Sequence, residues 1–348
     1  MRLFLLLAVS AFAALTPARA EWREASSDHF VVVADDSAKD IQAFTEQLER
    51  YHAAMAFVFS DKEEAPSPSN RVTIYVVRNA AEVRKLLGGK SRNVAGFYMP
   101  RAGGSVAFTP QIRGKSTRDL DWSMRVLLHE YAHHYLISAS PFAMPRWMSE
   151  GAAEFFSSAG FTPGGDVNMG LPAQHRAQEL YYDGGLEVGE MFAPEVDSGA
   201  KDYDSFYGKS WLLYHYLVFS EERKGQIKEY GRELSQGKSS LDAAKSAFGD
   251  LGKLDKDLNA YLRQRRLHSF TLAEKLLHVG PVSVRELSEG EAEMVPLKIR
   301  SKRGVNREQA LELLSDARKV AARYPDDPAV LTALAEAEFD GGFHDRAI

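Results

Sequence analysis

The pentapeptide His129-Glu130-Tyr131-Ala132-His133 constrains this chain more than any other stretch of it. Residues four apart on a helix share a face, so both imidazoles point at one spot from successive turns, with Glu130 offset beside them. Neutral imidazoles suit zinc (Zn2+), and a catalytic zinc needs a third protein ligand and one open position. A fold that uses the motif must bury this helix and bring a further donor to the same spot. The apolar run Val126-Leu127-Leu128 entering the motif fits burial. Downstream, residues 145–156 (PRWMSEGAAEFF) begin a second helix at Pro145, where the missing N–H of proline costs nothing. Glu150 lies 17 residues past His133, enough for one helix to end and for the next to present a carboxylate. Glu154 shares that face one turn further on. It reads as an alternative third ligand, as an acceptor for the N–H of a ligand imidazole, or as a solvated glutamate; the acceptor role is the expectation.

Around these two helices the pattern is α+β, a small mixed sheet followed by a helical half. Strands are expected at residues 29–34 (HFVVVA), 71–77 (RVTIYVV), 94–99 and 104–109, the last two joined by the turn Ala102-Gly103-Gly104. Helices are expected at 38–59 and 79–87, with a loop at 64–70 (EAPSPSN). The motif helix should be capped by Ser116 or Thr117, carry Asp119 and Asp121 in its first turn and run to about Ser138. Its successor runs from Pro145 to Ser158, and further helical patterns cover 204–219, 222–234 and 253–267. One domain is thus expected over 21–270, mostly sheet-forming to 115 and mostly helical from 116, with a helical segment over 271–348. Within that segment Gly304 and Ala310-Leu311 recur as Gly342 and Ala347-Ile348, about 37 positions on. This is similar to a tetratricopeptide (TPR-like) repeat, although Pro296 interrupts the first helix and the spacing exceeds the usual ~34. On that reading the chain stops inside a repeat; the alternative is a plain helical hairpin.

Arg2, the apolar run 3–15 and the ending Ala18-Arg19-Ala20 make the three regions of a signal peptide cleaved after Ala20. The run falls short of the ~20 apolar residues that span a bilayer, and no later stretch is longer, so the mature protein is expected to have no membrane span. The chain contains no cysteine, which excludes disulfides and a lipid-modified cysteine and fits a bacterial periplasm or exterior. A net charge of -5 gives no basic excess for nucleic acid. The short run RQRR at 263–266 reads as a solvated helix face.

HEYAHH followed by WMSEGAAEFF resembles the gluzincin metallopeptidases, most closely the bacterial peptidase-MA-like family, in which an H-E-x-x-H helix precedes a W-x-x-E-G-x-A helix. Residues 21–30 (EWREASSDHF) also resemble that family's first strand, and the likeness covers roughly residues 21–220. It implies a zincin-like fold and zinc-dependent hydrolysis of peptide bonds. His129, His133 and Glu150 would be the ligands and Glu130 the general base. The gluzincin aminopeptidases grip the substrate's amino group with a G-x-M-E-N segment. This chain has none; residues 103–107 (GGSVA) lie roughly where one would sit. That favours an endopeptidase acting on a peptide or protein. Those aminopeptidases also stabilise the oxyanion with a tyrosine downstream of the third ligand. Tyr207, 57 residues after Glu150 and beside Gly208, which leaves room for close approach, is the candidate. Tyr203 is its rival, and a buried structural tyrosine is the plain alternative for both. The metzincin pattern fails, because it needs glycine at 136 and histidine at 139 where the chain has Leu136 and Ala139.

His134 points about 100° away from His133 and reads as a packing or surface histidine. So do His29, His52, His175, His215, His268, His278 and His344. The aromatic series Phe206, Tyr207, Trp211 and Tyr214 reads as mostly core at helical spacing. Two competing readings remain: a catalytically inactive scaffold of the same shape that binds protein partners through its C-terminal helices, and a zinc hydrolase acting on non-peptide bonds.

Overall fold

The computed structural model describes residues 21–59, 70–87, 96–101, 104–111, 120–182 and 185–347. The signal-like stretch 1–20, most of the loop at 64–70, the turn residues Ala102 and Gly103, and the proposed caps Ser116 and Thr117 lie outside them. The chain is α+β. β1 (Trp22–Ser26) turns into β2 (Phe30–Asp35), and α1 (Ala38–Phe59) crosses over to β3 (Val72–Val77). After α2 (Ala80–Leu86) come β4 (Phe97–Met99) and β5 (Val106–Pro110). Strands β2, β3 and β5 pair in parallel, while β1 and β4 flank them antiparallel. Unbroken β-branched runs such as VTIYVV are what a strand buried on both faces requires. Here Phe30, Val32, Ile74 and Ala107 face the main core, and their neighbours Val33, Tyr75, Val77 and Phe108 face a smaller one on the opposite side.

The main core is filled from the helical half. α3 (Trp122–Ala139) packs against α4 (Arg146–Ser157), and α4 against α8 (Phe206–Phe219). Between them come a small antiparallel sheet begun by β6 (Gly160–Phe161) and β7 (Val167–Met169), and three short helices, α5 (Ala177–Tyr181), α6 (Val188–Met191) and α7 (Pro194–Asp197). α9 (Gln226–Ser235), α10 (Ser240–Phe248) and α11 (Leu251–Leu262) follow. β8 (Phe270–Leu272) pairs with β7, and β9 (Ser283–Glu286) pairs with β1 as the outer strand of the six-stranded sheet. α12 (Glu289–Arg303), α13 (Arg307–Ala321) and α14 (Pro328–Asp340) pack around Met294, Leu313, Leu314, Val330 and Ala337.

Several expectations need correction. The motif helix begins at Trp122, and Asp121 is its cap rather than a first-turn residue: its carboxylate accepts the Ser123 N–H at 2.8 Å. The helix expected at 222–234 breaks at Gly225, whose φ of 83° is open to glycine at little cost. The helix expected to reach 267 ends at Leu262, so RQRR lies wholly in the exposed segment beyond it rather than on a helix face. Pro296 does not interrupt α12, which runs through it. The segment 271–348 is not purely helical, because β9 lies within it. Among the described residues no helix is long and apolar enough to cross a membrane.

Candidate metal centre

The motif helix is fixed by what it buries. Leu127, Leu128, Tyr131, Ala132, Tyr135 and Leu136 lie in the core, and the Tyr51 hydroxyl of α1 donates to the Leu128 carbonyl oxygen at 3.1 Å. The opposite side of α3 presents His129, Glu130 and His133. α4 is anchored by Trp147, fully buried, whose indole N–H donates to the Tyr230 hydroxyl at 3.0 Å. Beside Glu150, Gly151 lets α4 lie directly on α8. A Cβ there would fall on the Ser210 carbonyl, with its carbon only 2.9 Å away. The small residue that follows the glutamate is therefore a packing requirement of this helix pair.

These two helices bring three donor atoms together. His129 Nε2 lies 3.1 Å from His133 Nε2, and Glu150 Oε2 lies 3.3 and 3.2 Å from the two nitrogens. Donors bound tetrahedrally at ~2.0–2.1 Å sit about 3.3–3.4 Å apart, so this triangle is of a size that a single metal ion could fill. The three side chains keep between 15% and 19% of their surface exposed, which leaves the centre open to a small molecule. Among the described residues they form a group able to hold a metal ion.

The rear nitrogens are tied down as well. His129 Nδ1 faces Glu154 Oε1 at 3.3 Å, and His133 Nδ1 meets the Ser149 hydroxyl at 3.1 Å. Donation from Nδ1–H leaves the Nε2 lone pair of His129 aimed into the triangle. Glu154 thus stands behind the imidazole and outside the donor triangle. His175 Nε2 meets the other carboxylate oxygen, Oε2, at 2.7 Å, and the Arg176 guanidinium donates to the same Oε1 that faces His129. Sequence reasoning missed three members of this shell. Ser149 is only a serine before a glutamate. His175 and Arg176 sit 21 and 22 positions from Glu154, on a short turn with no periodicity to read.

Burial disfavours the charged form of each group here, and the neighbours decide the outcome. For His129 the hydrogen bonds to Glu150 and Glu154 outweigh burial and bring its pKa up to about 9. For Glu150 the two imidazoles outweigh burial and bring it down to about 2. Glu154 is held well below the usual carboxylate range by His129, His175 and Arg176 despite its burial. Glu130 goes the other way: burial pushes its carboxyl up, against the pull of His129 and His133. A proton and a metal would compete for the same nitrogen of His129, so metal uptake from neutral solution should release a proton.

The structure separates the two tyrosines. Tyr203 donates its hydroxyl to Glu190 at 2.7 Å. Tyr207, at the start of α8, lies near enough to Glu150 for that charge to add to burial in raising its pKa, and Arg146 stands 6.0 Å from its ring. Arg176 lies over the same ring at 4.9 Å. The sequence suggests that Gly208 leaves room for a ligand to approach closely; the structure overturns this. The Gly208 N–H donates to Glu179 Oε2 at 2.7 Å, and the Glu179 and Leu180 side chains fill the gap.

Phe206, Trp211 and Tyr214 are core. His134 accepts or donates at Nδ1 to the Tyr98 hydroxyl of β4, 2.6 Å away. His29 stacks on His52 beneath α3, His215 is fully buried, His268 sits against Phe219, and His278 and His344 are exposed. Comparison with models of known protein families gives no match, and comparison with curated proteins gives none. The class defined here is an α+β chain with a buried helix pair and a His-His-Glu donor centre.

Proposed function

We propose that this chain is a zinc-dependent peptidase of the gluzincin type, with a zincin-like domain built on the mixed sheet and the α3–α4 pair. The observation that carries the proposal is the donor triangle of His129, His133 and Glu150 with a second, partly buried glutamate, Glu130, beside it. Two imidazoles and one carboxylate with an accessible face are a donor set of catalytic zinc rather than of a closed structural site. Zinc held there supplies Lewis acidity and makes water a nucleophile near neutral pH.

The chain's own residues do the rest. Glu130, its carboxyl raised by burial, takes a proton from the attacking water and returns it to the leaving amine. Tyr207, kept protonated by burial and by the Glu150 charge, donates a hydrogen bond to the substrate oxyanion. Glu154 and Ser149 keep the two imidazoles in register. The substrate is a peptide or protein cut internally, and the mature enzyme begins at Glu21 outside the cytoplasm. The decisive experiment loads the protein with zinc and offers a random peptide library to it and to Glu130→Gln. One zinc per chain in both, with cleavage lost only in the variant, is expected. Zinc binding without cleavage of any peptide by the unmodified protein would refute the peptidase and favour the scaffold or a different hydrolase.

A further inference from the structure

The smaller core borders a cavity of its own. α2 and α12 cover the face of the sheet away from the metal centre, and a cavity of about 700 Å3 remains between them, the size of a small-molecule site. Trp22, Val77, Leu86 and Ile299 give it an apolar lining. Arg303 of α12 bridges its walls by donating to the Leu86 carbonyl oxygen of α2 at 3.1 Å. The cavity lies at the carboxyl ends of the three parallel strands: Asp35 ends β2, Arg78 follows β3 and Gln111 follows β5. In sheets with parallel strands, that is the end where ligands are commonly held.

Its charge has one sign in excess. Arg78, Lys85, Arg300 and Arg303 line it against two carboxylates, Asp35 and Glu82. Glu82 is partly spent as the acceptor of the Arg78 backbone N–H at 3.1 Å, and Arg303 is spent on the Leu86 carbonyl. Arg300 has its nearest paired carboxylate, Glu312, at 3.9 Å. The side chains of Arg78 and Lys85 form no ion pair among the described residues. Three cations with weak partners or none, over an apolar floor, match a molecule with an apolar body and an anionic head. We propose that this cavity binds a small amphiphilic anion, its body against Trp22 and Ile299 and its carboxylate or phosphate head held by Arg78, Lys85 and Arg300. Because the walls come from both the sheet-forming half and α12, such a ligand joins the two and stabilises their contact.

The test titrates the zinc-loaded protein with decanoate, decyl phosphate and the neutral decanol, followed by calorimetry and by the thermal midpoint. Saturable binding of one anion per chain, at least tenfold tighter than decanol and accompanied by a rise in the midpoint, is expected. The tighter of the two anions identifies the head group. Arg78→Gln combined with Lys85→Gln changes two exposed residues outside the core and should weaken anion binding at least tenfold while leaving decanol unaffected. A repeat after chelation of the metal should give the same affinity. Loss of binding on chelation would place the anion at the metal centre instead. That result, non-saturable uptake, equal affinity for decanol, or an unaffected double variant would each overturn the proposal, whatever the outcome of the peptidase assay.

Discussion

At the scale of single residues, the two glutamates of α4 have different work and should fail differently. Glu150 supplies one of three donors, so Glu150→Ala should abolish near-stoichiometric zinc binding. Glu154 acts through His129, and Glu154→Gln keeps a hydrogen-bond acceptor while removing the charge that His175 and Arg176 also engage. Zinc affinity should then fall by roughly 10–100-fold without being lost. Metal titration of both variants checks the pair of statements; the reverse ranking would exchange the roles. Tyr207→Phe should lower kcat and kcat/KM together by a factor of order 10²–10³ at unchanged zinc content, because an oxyanion donor acts in the transition state. Tyr203→Phe should lose the hydroxyl's contacts to Glu190 and Lys201 and leave turnover near normal. Steady-state kinetics with any peptide found in the library distinguishes the two tyrosines.

The element scale shows what the sequence could and could not reveal. α1 was legible to its ends, 38–59, because its apolar positions recur with helical period over many turns. The central strands were legible because they are unbroken β-branched runs. The donor residues were legible because a helix fixes the geometry of positions four apart. β9 was not, since SVRE is four residues long, mostly exposed, and without apolar alternation. Glu154 behind His129 was legible as an acceptor one turn past Glu150, but His175 and Arg176 were not, because their place depends on how an irregular segment folds back over α4. The α4–α8 contact lies between these cases: the sequence offered Gly151 but not the reason for it. Gly151→Ala would drive a methyl into the Ser210 carbonyl, so the helices must part. A destabilisation of about 1–3 kcal/mol is expected from such overpacking, with weaker zinc binding as Glu150 shifts. Urea denaturation and metal titration of this one variant read both effects; unchanged stability would mean that α8 yields freely.

For the molecule as a whole, acid should act on a residue outside the donor triangle. His215 of α8 is fully buried and aims Nε2 at the carbonyl oxygens of Gly170 and His268, both at 3.0 Å, while Nδ1 meets the Tyr261 hydroxyl at 2.8 Å. That arrangement fits the neutral tautomer with its proton on Nε2. Burial brings the pKa down from 6.5 to about 4, against the upward pull of the two carbonyls. As pH falls through 6.5 the unfolded chain takes up a proton that the folded chain refuses until about 4. The stability from this group is complete above 6.5 and is lost between 6.5 and 4, roughly 3 kcal/mol in all. Nitrogen NMR of the imidazole at pH 5 should show the neutral ring; a protonated ring in folded protein at that pH would refute the assignment. Distance along the chain also has a consequence in time. Arg23 of β1 meets Glu286 of β9 across 263 positions. As the polypeptide is made or threaded from its N-terminus, the outer edge of β1 waits unpaired until nearly all of these residues have emerged. During that interval it is a bare ladder of N–H and C=O groups on which another nascent chain can pair, so crowding at that stage is a hazard that the finished sheet no longer meets at β1.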